Sequence, residues 1–214
     1  MLPQRLKEWV RGLMRPGGAL CSKLGIHPHV LTTVGFGVSL CAGLSFGLGS
    51  FRWAGLLVLI AGIFDMLDGH TARISGKKSS FGALYDSTID RYAELVVFIG
   101  LAIHYLQHPH PVAVITVLLA ISGSMMVSYV KARAEGLEME CPVGLMQRPE
   151  RIVYLGFGAI IFGKTLLFQI VLGIIALFTN VTAIQRLYYI YVWNKKQDQP
   201  EGEPIYEAKE GECL

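Results

Sequence analysis

Apolar blocks, each near the roughly 20 residues that a helix needs to cross a bilayer, dominate this 214-residue chain, and one short polar stretch interrupts them. The stretch is DMLDGHTARISGKKSSFGALYDSTID, residues 65–90, and it holds Asp65, Asp68, Asp86 and Asp90, the only aspartates before Asp198. The apolar blocks give six candidate spans at roughly 30–50, 53–74, 84–106, 111–133, 152–170 and 171–192. With 52% hydrophobic and 16% charged residues, and a mean hydropathy of +0.46, the composition argues against a soluble domain. The expected fold is all-α: an integral membrane bundle of six transmembrane helices. Ahead of it, Leu6, Trp9, Val10, Leu13 and Met14 share one helical face, while Arg5, Lys7 and Arg11 lie elsewhere. This pattern predicts an amphipathic juxtamembrane helix over about 3–15, lying on the membrane surface.

Charge placement orients the bundle. With an even number of spans, the termini and alternate connections share one side, and that side receives 17 of the 19 basic residues, leaving Arg52 and Lys164 opposite. The asymmetry predicts a multi-pass protein of the cell (inner, cytoplasmic) membrane, with both termini and the aspartate stretch cytoplasmic. From Lys195 the chain carries six acids and three lysines with little to bury, so the expected organisation is one membrane domain over 1–194 and a disordered acidic tail over 195–214. A net charge of +3, with no basic run interleaved with aromatics, excludes a nucleic-acid partner. The cysteines at 21, 41, 141 and 213 have neither metal-type nor disulfide-framework spacing, and the ending GECL is no prenylation box.

Asp65 and Asp68 are three residues apart, and Asp86 and Asp90 four, so each pair occupies one face of a helix. The first pair ends the second span and the second pair begins the third; antiparallel helices would bring the pairs together at the cytoplasmic edge. Four carboxylates beside a bilayer need compensating charge. Arg73, Arg91, Lys77 and Lys78 are near in sequence, and ion pairs with them are the plainer account of any one aspartate. For four on paired faces, hard divalent cations with oxygen ligands are the better account: Mg²⁺ (or Mn²⁺), two ions per site, of the kind shared with substrate phosphates. Two such ions suit displacement at phosphorus. Gly69 leaves room for a ligand against the helix, Ala72 keeps that face small, Arg73 offers bidentate bonds to a phosphate, and Gly82 permits close approach of the two helices.

Read as a pattern, the stretch is D-x2-D-G-x2-A-R-x8-G-x3-D-x3-D, filled by Asp65, Asp68, Gly69, Ala72, Arg73, Gly82, Asp86 and Asp90. It resembles the signature of the CDP-alcohol phosphotransferases, also called CDP-alcohol phosphatidyltransferases. The resemblance implies that a CDP-linked lipid, usually CDP-diacylglycerol, gives its phosphatidyl group to an alcohol and releases CMP. It implies that Asp65, Asp68 and Asp86 ligate metal, and that Asp90 touches a metal and serves as the catalytic base. It places Gly69, Arg73 and Ser79 against the CDP moiety, together with Pro28, His29, Val30 and Leu31 of a nucleotide-side motif, where His27 and His29 stand in place of the usual asparagines. It also implies a homodimer.

The acceptor must be read elsewhere. Lys131, Arg133, Arg148 and Arg151 bracket a cytoplasmic connection, and Arg186 can join them, a set suited to a second anionic ligand; charges that merely keep this side cytoplasmic are the plainer account of each. SYVKARAE, QRPER and the later QR resemble the prokaryotic phosphatidylinositol-phosphate synthases. That resemblance implies inositol phosphate as the acceptor, held by Ser128, Lys131, Arg133, Arg148, Arg151 and Arg186. Glycerol 3-phosphate is the alternative acceptor. A divalent-cation transporter is the alternative from another class; it requires acids near the membrane midplane and a polar path through both halves of the bundle.

Overall fold

A computed structural model describes residues 17–197 apart from 19, 22, 77 and 78. The expected surface helix at 3–15, the lysines at 77 and 78, and the tail beyond 197 lie outside the described residues. Among those described, all regular structure is helical: residues 17, 18, 20, 21 and 23 are helical, and six longer helices follow, α1 (Pro28–Gly47), α2 (Phe51–Ile74), α3 (Ser80–Gln107), α4 (Pro111–Glu135), α5 (Arg148–Phe162) and α6 (Leu166–Gln197). Three of these, α1, α4 and α6, are long and apolar enough to cross a membrane.

Local chemistry sets the helix starts. Pro28 and Pro111 open α1 and α4, and Pro149 lies in the first turn of α5, where a residue without an N–H leaves no helical hydrogen bond unmade. Ser79 caps α3, its Oγ accepting from Gly82 N at 2.9 Å. Three-residue turns at 48–50, 108–110 and 163–165 reverse the chain between α1 and α2, α3 and α4, and α5 and α6. Gly49 and Gly163 carry the positive φ values, +78° and +57°, that two of these reversals require. The last two helices depart from the expected spans: they divide at 163–165, not at 170–171, leaving α5 with 15 residues and α6 with 32. The α6 helix also runs to Gln197, past the expected start of the tail.

Each helix packs on two others, and the six close into a ring in the order α1–α2–α5–α6–α4–α3. Small residues set the crossings. A methyl group on Gly43 of α1 would lie 2.6 Å from the Val96 carbonyl oxygen of α3, one on Gly100 of α3 would strike the Gly43 backbone, and one on Gly55 of α2 would lie 2.5 Å from the Gly156 oxygen of α5. At the end of the ring away from the aspartates, Phe46, Phe51, Phe98, Leu101, Phe168 and Leu172 are buried together. Phe51 meets Phe46 and Phe168 edge-on at centroid distances of 5.4 and 5.3 Å, a favourable ring geometry.

Candidate active site

The aspartate helices α2 and α3 flank α1 on opposite sides, so their side chains meet where their backbones do not. Oxygen atoms of Asp65, Asp68 and Asp86 all lie within 4.8 Å of one another. Asp68 is 3% exposed and Asp90 9%. Thr32 on α1 donates to Asp68 Oδ2 at 2.7 Å. At the start of α5, Arg148 Nη1 pairs with Asp65 Oδ1 at 2.6 Å and also with Asp90. The amino end of α5 itself adds partial positive charge there. Arg91 Nη1 stands 3.7 Å from Asp90 Oδ2.

Arg148 reaches Asp65 and Asp90, while Asp68 Oδ1 and Asp86 Oδ1 are buried with no hydrogen-bond partner. Buried carboxylate oxygens left in that state are costly. Three clustered carboxylates, two of them with an unmet buried acceptor, are the donor set a hard divalent cation takes, so these residues fit a metal.

The residues expected to face a nucleotide lie on α1, on α2 and at the start of α3. A methyl group on Gly69 would meet nothing within 4 Å, so that surface of α2 is open to a ligand; Arg73, one turn further, is exposed, and Ala72 is half-buried. Pro28 and Leu31 are buried, Val30 is exposed, and His29 lies against Phe81 and Tyr85 at centroid distances of 6.2 and 5.2 Å. Gly82 differs from expectation. Its missing Cβ would lie 3.1 Å from His29 Cε1 and 2.9 Å from Ser79 Oγ, so it admits α1 and its own cap; the two aspartate helices do not close on each other there.

The acceptor-side cations are not gathered into one cluster. Arg148 stands on the aspartates. Arg151, 2% exposed, forms a bidentate pair with Glu94 at 2.6 and 3.0 Å. Arg186 donates to the Val143 and Val127 carbonyls at 2.9 and 2.5 Å. Lys131 is exposed and lies 3.6 Å from Glu135; Arg133 is exposed and Ser128 half-buried.

Two polar partners, Thr32 and Glu94, were not among the expected site residues. Glu94 continues the α3 face of Asp86 and Asp90 by another four residues, a helical period that could have found it. Thr32 closes the nucleotide-side motif that runs from His27 through Leu31, a signal for the residue but not for its partner, which depends on α1 packing beside α2. At the far end of the ring the buried cluster is mainly apolar, with His104 among it against Phe51.

The sequence profile described as CDP-alcohol phosphatidyltransferase matches residues 25–190. A phosphatidylinositol phosphate synthase of Mycobacteroides abscessus is 33% identical over 189 residues, covering 86% of each chain. An archaetidylinositol phosphate synthase of Pyrococcus horikoshii is 37% identical over 179 residues, covering 82% of this chain and 89% of that one. Two crystal structures of the Mycobacterium tuberculosis phosphatidylinositol phosphate synthase are similar in fold. The one with CDP-DAG bound has a TM-score of 0.74 at 29% identity, covering 83% of this chain and 93% of that one. The one in complex with manganese and citrate has a TM-score of 0.76 at 30% identity, covering 83% and 88%.

Proposed function

This chain belongs to the CDP-alcohol phosphatidyltransferase family, and from that premise we propose that it moves the phosphatidyl group of CDP-diacylglycerol to the hydroxyl of inositol phosphate. Membership makes it a transferase of phospholipid biosynthesis. The choice of acceptor rests on one observation above all: the Arg148 guanidinium stands directly beside the carboxylates, where it contacts both Asp65 and Asp90. A guanidinium in that position can hold the phosphate of an anionic acceptor next to the base. The relatives named as phosphatidylinositol and archaetidylinositol phosphate synthases support the same choice.

Asp65, Asp68, Asp86 and Asp90 would hold two divalent ions, and bound ions supply charge stabilisation for the entering and leaving oxygens. Asp90 takes the proton of the acceptor hydroxyl. The freed oxygen forms a bond to the diacylglycerol-linked phosphorus, the bond from that phosphorus to the bridging oxygen breaks, and CMP leaves with that oxygen. Arg73 and the open face at Gly69 receive the pyrophosphate, with Pro28, His29, Val30, Leu31 and Ser79 beside the nucleotide. On the acceptor side Arg148 stands at the carboxylates, and Ser128, Lys131, Arg133, Arg151 and Arg186 would serve it from separate positions around the α4–α5 link. In this reading residues 1–194 are one six-span membrane domain, a homodimer with its site and both termini cytoplasmic.

The test is a radioassay of the purified protein with CDP-diacylglycerol, Mg²⁺ or Mn²⁺ and a panel of acceptors. Lipid product from inositol phosphate is expected. Product from glycerol 3-phosphate with none from inositol phosphate overturns the acceptor.

A further inference from the structure

The link between α4 and α5, residues 136–147, carries the chain to Arg148, and it has no regular structure to fix its shape. It is nevertheless anchored at several points. Met146 N donates to Thr182 Oγ1 of α6 at 3.0 Å, and that hydroxyl donates onward to the Phe178 carbonyl at 2.6 Å. Arg186, one turn further along α6, donates through Nε to the Val143 carbonyl at 2.9 Å and ties it to α4 through the Val127 carbonyl at 2.5 Å. Arg151 Nη1 reaches the Met146 carbonyl at 3.4 Å. Thr182 is fully buried, and Met146 and Cys141 are 4% and 6% exposed.

A buried backbone N–H must find an acceptor, and the only hydroxyl that serves Met146 among the described residues is that of Thr182. Two residues later comes Arg148, whose guanidinium must land between Asp65 and Asp90. We propose that Thr182 is a positioning residue for the transfer reaction: by fixing the backbone at Met146 it sets where Arg148 stands, and so where the phosphate of the acceptor is held. The inference rests on the reading that Arg148 serves the acceptor side. Thr182 makes no contact with the aspartates itself and acts through the link alone. Gly144 belongs to the same device, since a methyl group there would lie 3.1 Å from Arg186 Nη2 and push the link off its anchor.

The test uses the full-length purified enzyme and steady-state kinetics in both substrates. Thr182→Val keeps the shape and removes the hydroxyl; the expected result is a KM for inositol phosphate raised about tenfold, the effect of losing one buried hydrogen bond, with the KM for CDP-diacylglycerol unchanged. Thr182→Ser, which restores the hydroxyl, should return the acceptor KM to within about twofold of wild type. An unchanged acceptor KM, a parallel rise in both KM values, or no rescue by serine overturns the proposal. Should Thr182→Val not be recovered folded, Gly144→Ala crowds the link against Arg186 and Thr182 themselves and is expected to raise the acceptor KM alone; a wild-type KM there overturns it as well. If wild-type enzyme uses a different phosphorylated alcohol, the acceptor assignment fails, and the same variants read with that alcohol still decide the role of Thr182.

Discussion

The two ends of the ring are built on opposite principles. At one end Phe46, Phe51, Phe98 and Phe168 fill the interior and the helices approach through glycines, as at Gly43 and Gly100. At the other, α2 and α3 stand on either side of α1 and bring their carboxylates together. Apolar side chains at van der Waals contact gain by filling space, whereas buried carboxylates repel until cations join them. The first end therefore supplies stability, and the second keeps a charged gap that the first end holds in shape. Changes at the two ends should accordingly move different observables.

Removing divalent metal with a chelator should stop transfer altogether while the bundle stays folded, and Mn²⁺ should restore it; activity surviving thorough chelation would break the assignment of the carboxylate gap. Asp90→Asn is expected to lower turnover by about 10²–10⁴-fold, the ordinary contribution of a general base, while Mn²⁺ binding, followed by paramagnetic resonance, stays largely intact. At the packed end, Phe46→Ala should cost about 3–5 kcal/mol of stability, read as a lowered thermal midpoint in detergent, with both KM values unchanged at a temperature where the variant is folded. Thr32→Val removes the hydroxyl that orients Asp68 and should weaken metal affinity about 10–100-fold, the usual effect of losing a partner of a metal ligand, with no comparable loss of stability. The smallest effect is expected at Lys131, whose exposed pair with Glu135 should contribute no more than about 0.5 kcal/mol to stability; a large fall in the thermal midpoint of Lys131→Ala would mean that the charged end also carries structural weight.

The sequence was most informative where chemistry and periodicity coincided. Spacings of three and four fixed which aspartates share a helix face, and the prolines at 28 and 111 marked helix starts. The break at 163–165 was harder to place because hydropathy barely changes across it: leucines, isoleucines and phenylalanines stand on both sides, and only the left-handed Gly163 turns the chain. Gly82 was assigned the wrong neighbour because a glycine shows that something comes close without showing what. The arginines at 148, 151 and 186 were recognisable as a charged set, but their individual partners were not. Glu94, the carbonyls at 127 and 143, and the aspartates are brought to them by the closure of the ring, which no local pattern encodes.

The shortness of α5 has a consequence for where the chemistry takes place. Its 15 residues reach about 22 Å at 1.5 Å per residue, against a hydrocarbon layer of about 30 Å. The helix starts at Arg148 beside the carboxylates and ends just before Lys164, whose side chain lies over the turn at Gly49 on the far end. From Arg148 to the far turn α5 is therefore shorter than a hydrocarbon layer, whereas along α3 Asp86 lies 21 residues before Gln107, about 31 Å at the same rise.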